Sequence, residues 1–244
     1  MEGYGPETYG DRIAGVYDAF HEEIGLDTEG AVDALAELAG DGPVLELAIG
    51  TGRLALPLAE RGLEVHGIDA SEEMVAKLRE KPGGDRIPVT MGDFADVAVE
   101  GTYSLVFVAF NTFYALATQD DQLRCFANAA ARLAEGGVFV LEAFVPDLAR
   151  FDRDQRLQTN SISATEVVLD ASRHDQAAQT ITSMHVVVTE QGTTLYPIHM
   201  RYAFPSELDL MGKVAGLHLK HRWGDWKRGE FTRRSGQHVS VYGR

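Results

Sequence analysis

The first half of the chain alternates short, continuously apolar runs with stretches whose apolar residues recur every three or four positions. The runs are VLELAI at 44–49, EVHGID at 64–69, IPVTMG at 87–92, YSLVFVAF at 103–110 and GVFVLEAF at 137–144. Runs apolar on both faces predict strands of a parallel sheet covered on both sides. Helical patterns lie between them. Asp27 or Thr28 caps a helix through Leu38, with Val32, Leu35 and Leu38 spaced along it, before GDGP breaks the chain. A helix from Gly52 carries Leu54, Leu58 and Ala59, and Ser71 with Glu73 opens SEEMVAKLRE. Another, from about Asp120 to Leu133, is expected to stop at the glycines of Glu135-Gly136-Gly137. The alternation predicts an α/β fold, a doubly wound sheet with helices on both faces.

After Phe144 the period changes. From about Ser163 to Tyr202 apolar and polar residues alternate (TITSMHVVVTE, then TTLYPIHMRYAF), broken at Gln191-Gly192. This predicts an inserted antiparallel sheet within 145–203. Pro205-Ser206-Glu207 starts a helix to about Ala215, and LHLKHRW and HVSVYG predict two final strands. No internal repeat or low-complexity segment appears.

Composition narrows the class. A chain of 244 residues, 45% hydrophobic, fits one domain with a sizeable core. No run approaches the ~18 uncharged apolar residues of a membrane span. The opening MEGYGPETYGDR does not read as a secretory signal. A lone Cys125 excludes an internal disulfide and a multi-cysteine metal site, so we expect a cytoplasmic protein and no metal. With 22 basic and 37 acidic residues the net charge is −15, which opposes nucleic acid and anionic membrane as partners. Basic residues gather in KHRWGDWKRGEFTRR at 220–234, read as a C-terminal hairpin loop able to steer one anionic group of a small substrate. Five lysines against seventeen arginines, with abundant Ala and Gly, suggest a GC-rich bacterial genome.

Candidate chemistry concentrates in ELAIGTGRLA at 46–55. A strand, a glycine turn and a helix place a ligand at the strand's carboxyl end and the helix N-terminus. Gly50 and Gly52 let it touch backbone. Gly50-Thr51-Gly52-Arg53-Leu54-Ala55 also satisfies the dinucleotide pattern G-x-G-x-x-G/A. Glu46 separates the two ligands. A carboxylate there opposes a pyrophosphate but suits the sulfonium and ammonium of S-adenosylmethionine. Asp69, ending the second strand, can take both hydroxyls of a ribose in either case. Asp93 can accept from an adenine amino group, with Phe94 alongside. The alternatives left open are an NAD(P)-dependent oxidoreductase and a catalytically silent S-adenosylmethionine-binding regulator.

ELAIGTG, GIDAS, GDFADV, YSLVFVAFNT and LAEGGVFVLE resemble, in order and spacing over about residues 43–144, the motifs of class I S-adenosylmethionine-dependent methyltransferases. The resemblance implies a seven-stranded, mostly parallel Rossmann-like sheet of order 3-2-1-4-5-7-6 with its last strand antiparallel. It implies a cofactor set of Tyr17, Glu46, Ala48, Gly50, Gly52, Arg53, Asp69, Ala70, Met74, Asp93, Phe94 and Phe110. YGDRIAGVYD at 9–18 resembles the helix that closes the site in small-molecule methyltransferases, including amino-sugar N-methyltransferases of antibiotic pathways. A helical lid over 1–40 follows, with Tyr9 near the methyl donor. The inserted sheet would cap the substrate or form a homodimer. The chain departs from the sugar enzymes after strand four, where they carry a histidine and it reads Phe110-Asn111-Thr112-Phe113-Tyr114-Ala115.

A sulfonium methyl is already activated, so the protein's tasks are in-line positioning and exclusion of water. A neutral amine needs no base, whereas a hydroxyl does. Tyr9, Glu142 at the end of strand five, and His185 are the catalytic candidates. Asn111, Phe113, Tyr114, His199, Arg201 and Trp223 are the substrate-binding candidates. The expected activity is methyl transfer to N or O of a small molecule, a bacterial secondary metabolite of the antibiotic type.

Overall fold

Val44–Leu47 is buried at every position and forms the first strand, β1, at the centre of the main sheet. The structure, a computed structural model, describes residues 3–23 and 25–244. Met1, Glu2 and Ile24, within the expected lid segment, lie outside the described residues. β2 (Val65–Asp69) and β4 (Tyr103–Val108) flank β1 in parallel, Leu45 pairing with His66 on one side and Val106 on the other. β3 (Val89–Met91) adds to β2, and β5 (Leu133–Phe144) adds to β4.

The inserted sheet comprises β6 (Gln155–Ile162), β7 (Glu166–Asp175), β8 (Thr180–Thr189) and β9 (Gly192–Arg201), each antiparallel to the next. The chain then returns through β10 (His218–Trp223) and β11 (Gln237–Gly243). β11 lies antiparallel between β5 and β10. The order is β3-β2-β1-β4-β5-β11-β10, the expected 3-2-1-4-5-7-6 once the four inserted strands are set aside.

Helices cover both faces. α1 (Thr8–Ile13), α2 (Tyr17–Glu23) and α3 (Thr28–Ala39) precede β1. α4 (Ala55–Glu60), α5 (Glu72–Glu80), α6 (Gln119–Arg132) and α7 (Pro205–Val214) follow. On one face Leu35, Leu58 and Leu78 bury against Leu105, Phe107 and Val140. On the other, Phe126 of α6 packs edge-on against Phe139 and Tyr242 with ring centroids 5.1 and 5.4 Å away. Burying a ring of that size contributes about 2 kcal/mol. The helix starts are capped as the sequence leads one to expect. Asp27 Oδ1 accepts from the Gly30 N–H at 3.1 Å, and Ser71 Oγ accepts from the Met74 N–H at 3.1 Å.

The glycine stop expected at 135–137 is corrected. α6 ends at Arg132 and β5 begins at once, so Gly136 and Gly137 belong to the strand. Gly137 serves close approach, since a Cβ there would lie 2.8 Å from the Tyr103 carbonyl oxygen, where the β4–β5 register is irregular, whereas Gly136 is needed for its φ of +76°.

The inserted sheet begins earlier than the alternation suggests, because β6 is polar and its pattern carries no hydropathy signal. Register divides its faces. Asp170, Ser172, Ser183, His185 and Tyr196 share one face with His174 and Ile181; Thr182 and His199 lie on the other. The first face is anchored on the main fold. His174 stacks on Phe151 with centroids 4.7 Å apart, its Nε2 lies 2.8 Å from the Tyr202 hydroxyl, and Ile181 is buried in the core. Among the described residues no helix is long and apolar enough to cross a membrane.

Candidate active site

The turn after β1 holds three residues in the left-handed region: Ala48 (φ +57°), Gly50 (φ +56°) and Gly52 (φ +80°). The two glycines do different jobs. A Cβ on Gly52 would overlap the Leu78 side chain, so this glycine lets the turn pack on α5. A Cβ on Gly50 would meet nothing within 4 Å, because Gly50 faces a cavity. Asp69 fastens the turn from β2. Its Oδ2 accepts from the Gly50 N–H at 2.7 Å and its Oδ1 from the Ser71 N–H at 2.9 Å. Burial still pushes the Asp69 carboxyl above its ordinary value against these bonds.

The cavity measures about 290 Å³. Ala48, Gly50, Asp69, Ala70 and Asp93 border it on the sheet side, Met74 and Phe94 beside them, and Tyr4, Tyr9 and Tyr17 on the N-terminal side. A recess of about 20 Å³ adjoins it, with Glu46, Arg53 and Phe110 in its wall; Tyr17 and Ala48 line both spaces. Glu46 is 6% exposed, and among the described residues its Oε2 has no hydrogen-bond partner. Burial pushes its carboxyl up to about 8, with Arg53 opposing. His21 closes the recess from behind, its ring centroid 4.0 Å from Tyr17 and 4.6 Å from Phe110. Burial, then Arg53, lowers its pKa to about 4, so it is neutral at physiological pH.

The N-terminal helices are tied to this edge. A Cβ on Gly10 would lie 2.6 Å from Ser71 Cβ, so α1 touches the α5 turn directly, and Ser71 Oγ donates to Asp11 at 2.6 Å. On α2, Asp18 accepts from Thr51 Oγ1 at 2.6 Å and pairs with Lys81 at 2.7 Å. Tyr9, Tyr17 and Tyr196 of β9 pack on one small cluster of Ile13, Ala14 and Met74. The inserted sheet meets the site there.

A methyltransferase-domain family model matches residues 44–137. The CcbJ methyltransferase of Streptomyces caelestis superposes with a TM-score of 0.91 at 44% identity, over 98% of both chains. The chain belongs to the S-adenosylmethionine-dependent methyltransferases. The cypemycin N-terminal methyltransferase of Streptomyces sp is 29% identical over 201 residues, 81% of each chain. SAM-bound CalS10, an amino pentose methyltransferase from Micromonospora echinaspora, shares the fold with a TM-score of 0.69 at 22% identity, over 93% of this chain and 96% of that one. The residues present suit S-adenosylmethionine. The unpartnered Glu46 oxygen offers an acceptor to an ammonium, Gly50 leaves room against backbone, and Asp69 and Asp93 face the cavity where a ribose and an adenine need acceptors.

Eleven of the twelve residues expected to bind the donor border the two spaces, and Gly52 lies beneath them. The acceptor-side candidates are scattered. Phe113 is buried in the core, and Tyr114 donates from its hydroxyl to the Ala203 carbonyl at 2.7 Å. Asn111 Oδ1 accepts from the Phe144 N–H at 2.6 Å. Arg201 is buried against Glu207 at 2.7 Å and Gln122 at 2.6 Å. Trp223 stacks on His221 with Arg228 over its ring, at the far edge of the sheet. His199 contacts Tyr4 from the other face of the inserted sheet. Glu142 Oε2 accepts from the Phe110 N–H at 2.7 Å and Oε1 from the Trp226 indole N–H at 2.8 Å. His185 alone of this group stands on the face toward the site, its Nδ1 2.8 Å from Asp170 Oδ1 and its ring edge-on to Phe20. Sequence reasoning passed over Asp170, Tyr4, Trp226 and Thr112. Ser71 was legible only as a helix cap, although it also lines the cavity.

If Glu46 receives the donor's ammonium, donor binding depends on pH. In the free protein its carboxyl keeps its proton up to about pH 8, whereas a cationic ligand favours the carboxylate. Calorimetry with S-adenosylhomocysteine should therefore show proton release near pH 7. Affinity should rise with pH between 6 and 8, by up to about tenfold per unit. Glu46→Gln should flatten that slope; an unchanged slope would remove Glu46 from the linkage.

Proposed function

We propose that this enzyme methylates a nitrogen of a small-molecule acceptor, a bacterial secondary metabolite, in the cytoplasm, beneath a roof formed by the inserted sheet. The observation that carries the reading is the His185–Asp170 pair on the face of that sheet nearest the donor cavity. Burial alone would raise the Asp170 carboxyl, but hydrogen bonds from His185 and Asn160 outweigh it and hold it below the ordinary carboxylate range. A charged Asp170 keeps the proton on His185 Nδ1 and leaves Nε2 as an acceptor. His185 thus receives the proton that an ammonium sheds as it becomes a nucleophile.

S-adenosylmethionine supplies a sulfonium whose methyl is already electrophilic. The chain's own contribution is orientation and dryness. Burial raises the Tyr9 and Tyr17 hydroxyls above their ordinary range, so both act as neutral dipoles at the donor, not as bases. The N-terminal helices are read as a lid, since α1 and α2 wall the cavity and rest on the donor turns through Ser71 and Thr51. Nitrogen is favoured by the names of the relatives, a cypemycin N-terminal methyltransferase and an amino pentose methyltransferase. A nucleic-acid acceptor is disfavoured by the pairing of Arg222, Lys227 and Arg228 with Asp209, Asp27 and Glu37. The outer face of the inserted sheet exposes Leu157 (74%) and Ile162 (73%) beside Val188 and Leu195, which suits a homodimer.

Each of these three points, the acceptor and its base, the lid and the homodimer, has its own test. With a panel of amines and alcohols from actinobacterial extracts, labelled methyl should appear on nitrogen. His185→Ala and Asp170→Asn should each lower kcat/KM by about 10²-fold or more and shift the pH optimum upward, as removal of a general base requires. Methylation confined to oxygen, or full activity in both variants, would defeat the reading. For the lid, amide exchange in residues 8–22 should slow when S-adenosylhomocysteine binds, and Gly10→Val should weaken that binding while the melting temperature changes little. Equal exchange with and without ligand rejects it. For the homodimer, sedimentation should give twice the chain mass, and Leu157→Glu should halve it; a monomeric parent protein ends that proposal.

A further inference from the structure

β4 runs into two successive non-glycine residues in the left-handed region, Phe110 (φ +52°) and Asn111 (φ +65°). Such residues are strained and persist only where their surroundings over-determine them. Here one neighbour does most of that. The Glu142 carboxylate accepts from the Phe110 N–H at 2.7 Å, and the Glu142 carbonyl accepts from the Asn111 N–H at 3.1 Å. The Asn111 side chain closes the loop onto the Phe144 N–H at 2.6 Å. The second Glu142 oxygen is held by the indole N–H of Trp226, a buried residue of the loop between β10 and β11, 84 positions along the chain.

Both Glu142 oxygens therefore have a protein donor, and the residue borders neither the cavity nor the recess. What the carboxylate does fix is the place of Phe110. That ring walls the recess shared with Glu46, Arg53 and Tyr17, away from the Asp69 and Asp93 end of the cavity. We propose that Glu142, anchored by Trp226, is a positioning residue that holds Phe110 in its left-handed turn and so shapes the pocket for the amino-acid end of the methyl donor. The inference rests on reading the recess as the seat of that end.

The test separates the two. S-adenosylhomocysteine carries the amino-acid end; 5′-methylthioadenosine keeps adenine, ribose and sulfur but lacks it. Calorimetry on the unaltered protein should show clearly tighter binding of the former, and equal affinities would overturn the assignment of the recess itself. Glu142→Gln retains one oxygen but turns an N–H toward one of its two donors. It should weaken S-adenosylhomocysteine about tenfold, the effect of losing one charge-assisted hydrogen bond, with methylthioadenosine changed less than twofold. Adding Trp226→Phe removes the competing N–H and lets the amide oxygen turn to Phe110, so the double variant should recover part of the loss and bind about as Trp226→Phe alone does. Equal losses for both ligands, or no loss for either, would reduce Glu142 to a core residue and overturn the proposal. Should Glu142→Gln fail to fold, Trp226→Phe alone carries the same comparison: a loss confined to S-adenosylhomocysteine supports the clamp, and an equal or absent loss refutes it.

Discussion

A single carboxylate joins the parts that make the donor site. Asp69 bonds the Gly50 N–H with one oxygen and the Ser71 N–H with the other, and so fixes the turn after β1 to the turn after β2. Ser71 in turn caps α5 and donates to Asp11 on α1. The parallel sheet brings β1 and β2 into register side by side, Leu47 opposite Ile68, which sets both turns at one edge. Without that carboxylate the glycine turn would lose the bond that aims Gly50 at the cavity, and Ser71 the bond that holds it where the N-terminal helix touches.

The electrostatics of the site follow from burial more than from pairing. Glu46 is held toward its protonated form, the Tyr9 and Tyr17 hydroxyls are held neutral, and His21 is held unprotonated. Desolvation is the largest cause in all four, and each favours the uncharged state. A pocket lined this way disfavours ordered water and keeps its strongest acceptor, Glu46, for a ligand that brings positive charge. The donor's sulfonium and ammonium supply what the protein itself lacks there. A cation draws Glu46 into its carboxylate form, whereas a pyrophosphate does not, so the residue favours the donor over a dinucleotide without a clash.

The cavity wall at the glycine turn was legible in the sequence because its signals are local. Glu46, Gly50 and Gly52 sit within one turn, and Asp69 and Asp93 each end a strand whose apolar run marks it. The acceptor half was not, because its contacts depend on register and on distant returns of the chain. Asp170 and His185 meet only through the pairing of β7 with β8, and period-2 patterns reveal faces but not offsets. Trp226 and Glu142 meet across 84 residues. Phe113 and Tyr114 read as pocket aromatics, yet an aromatic that fills a core and one that lines a cavity have the same sequence signature. Arg201 looked free for a substrate until the helices carrying Gln122 and Glu207 closed on it. Gly136-Gly137 resembled a helix stop because a glycine needed for a left-handed strand residue or for close strand approach looks no different in sequence.

This division of the chain has a consequence for how specificity is built. The matched family model spans residues 44–137, the strands and turns that form the donor pocket, and stops short of the inserted sheet. The likeness to CcbJ runs through 98% of both chains at 44% identity, inserted sheet and C-terminal strands included. A fold whose donor turns come from one contiguous segment and whose roof comes from another can change acceptors without disturbing the donor chemistry. The two halves are not independent everywhere, however. Glu142 lies on the strand that leads into the insertion, and it holds the turn that walls the donor recess. Changes that tilt β5 therefore reach the Phe110 turn, and on the proposed reading the donor, while changes confined to β6 have no such route. Under the proposed roof, acceptor specificity would vary most freely at β6, which carries none of the proposed site residues, and would be constrained where β5 enters the insertion.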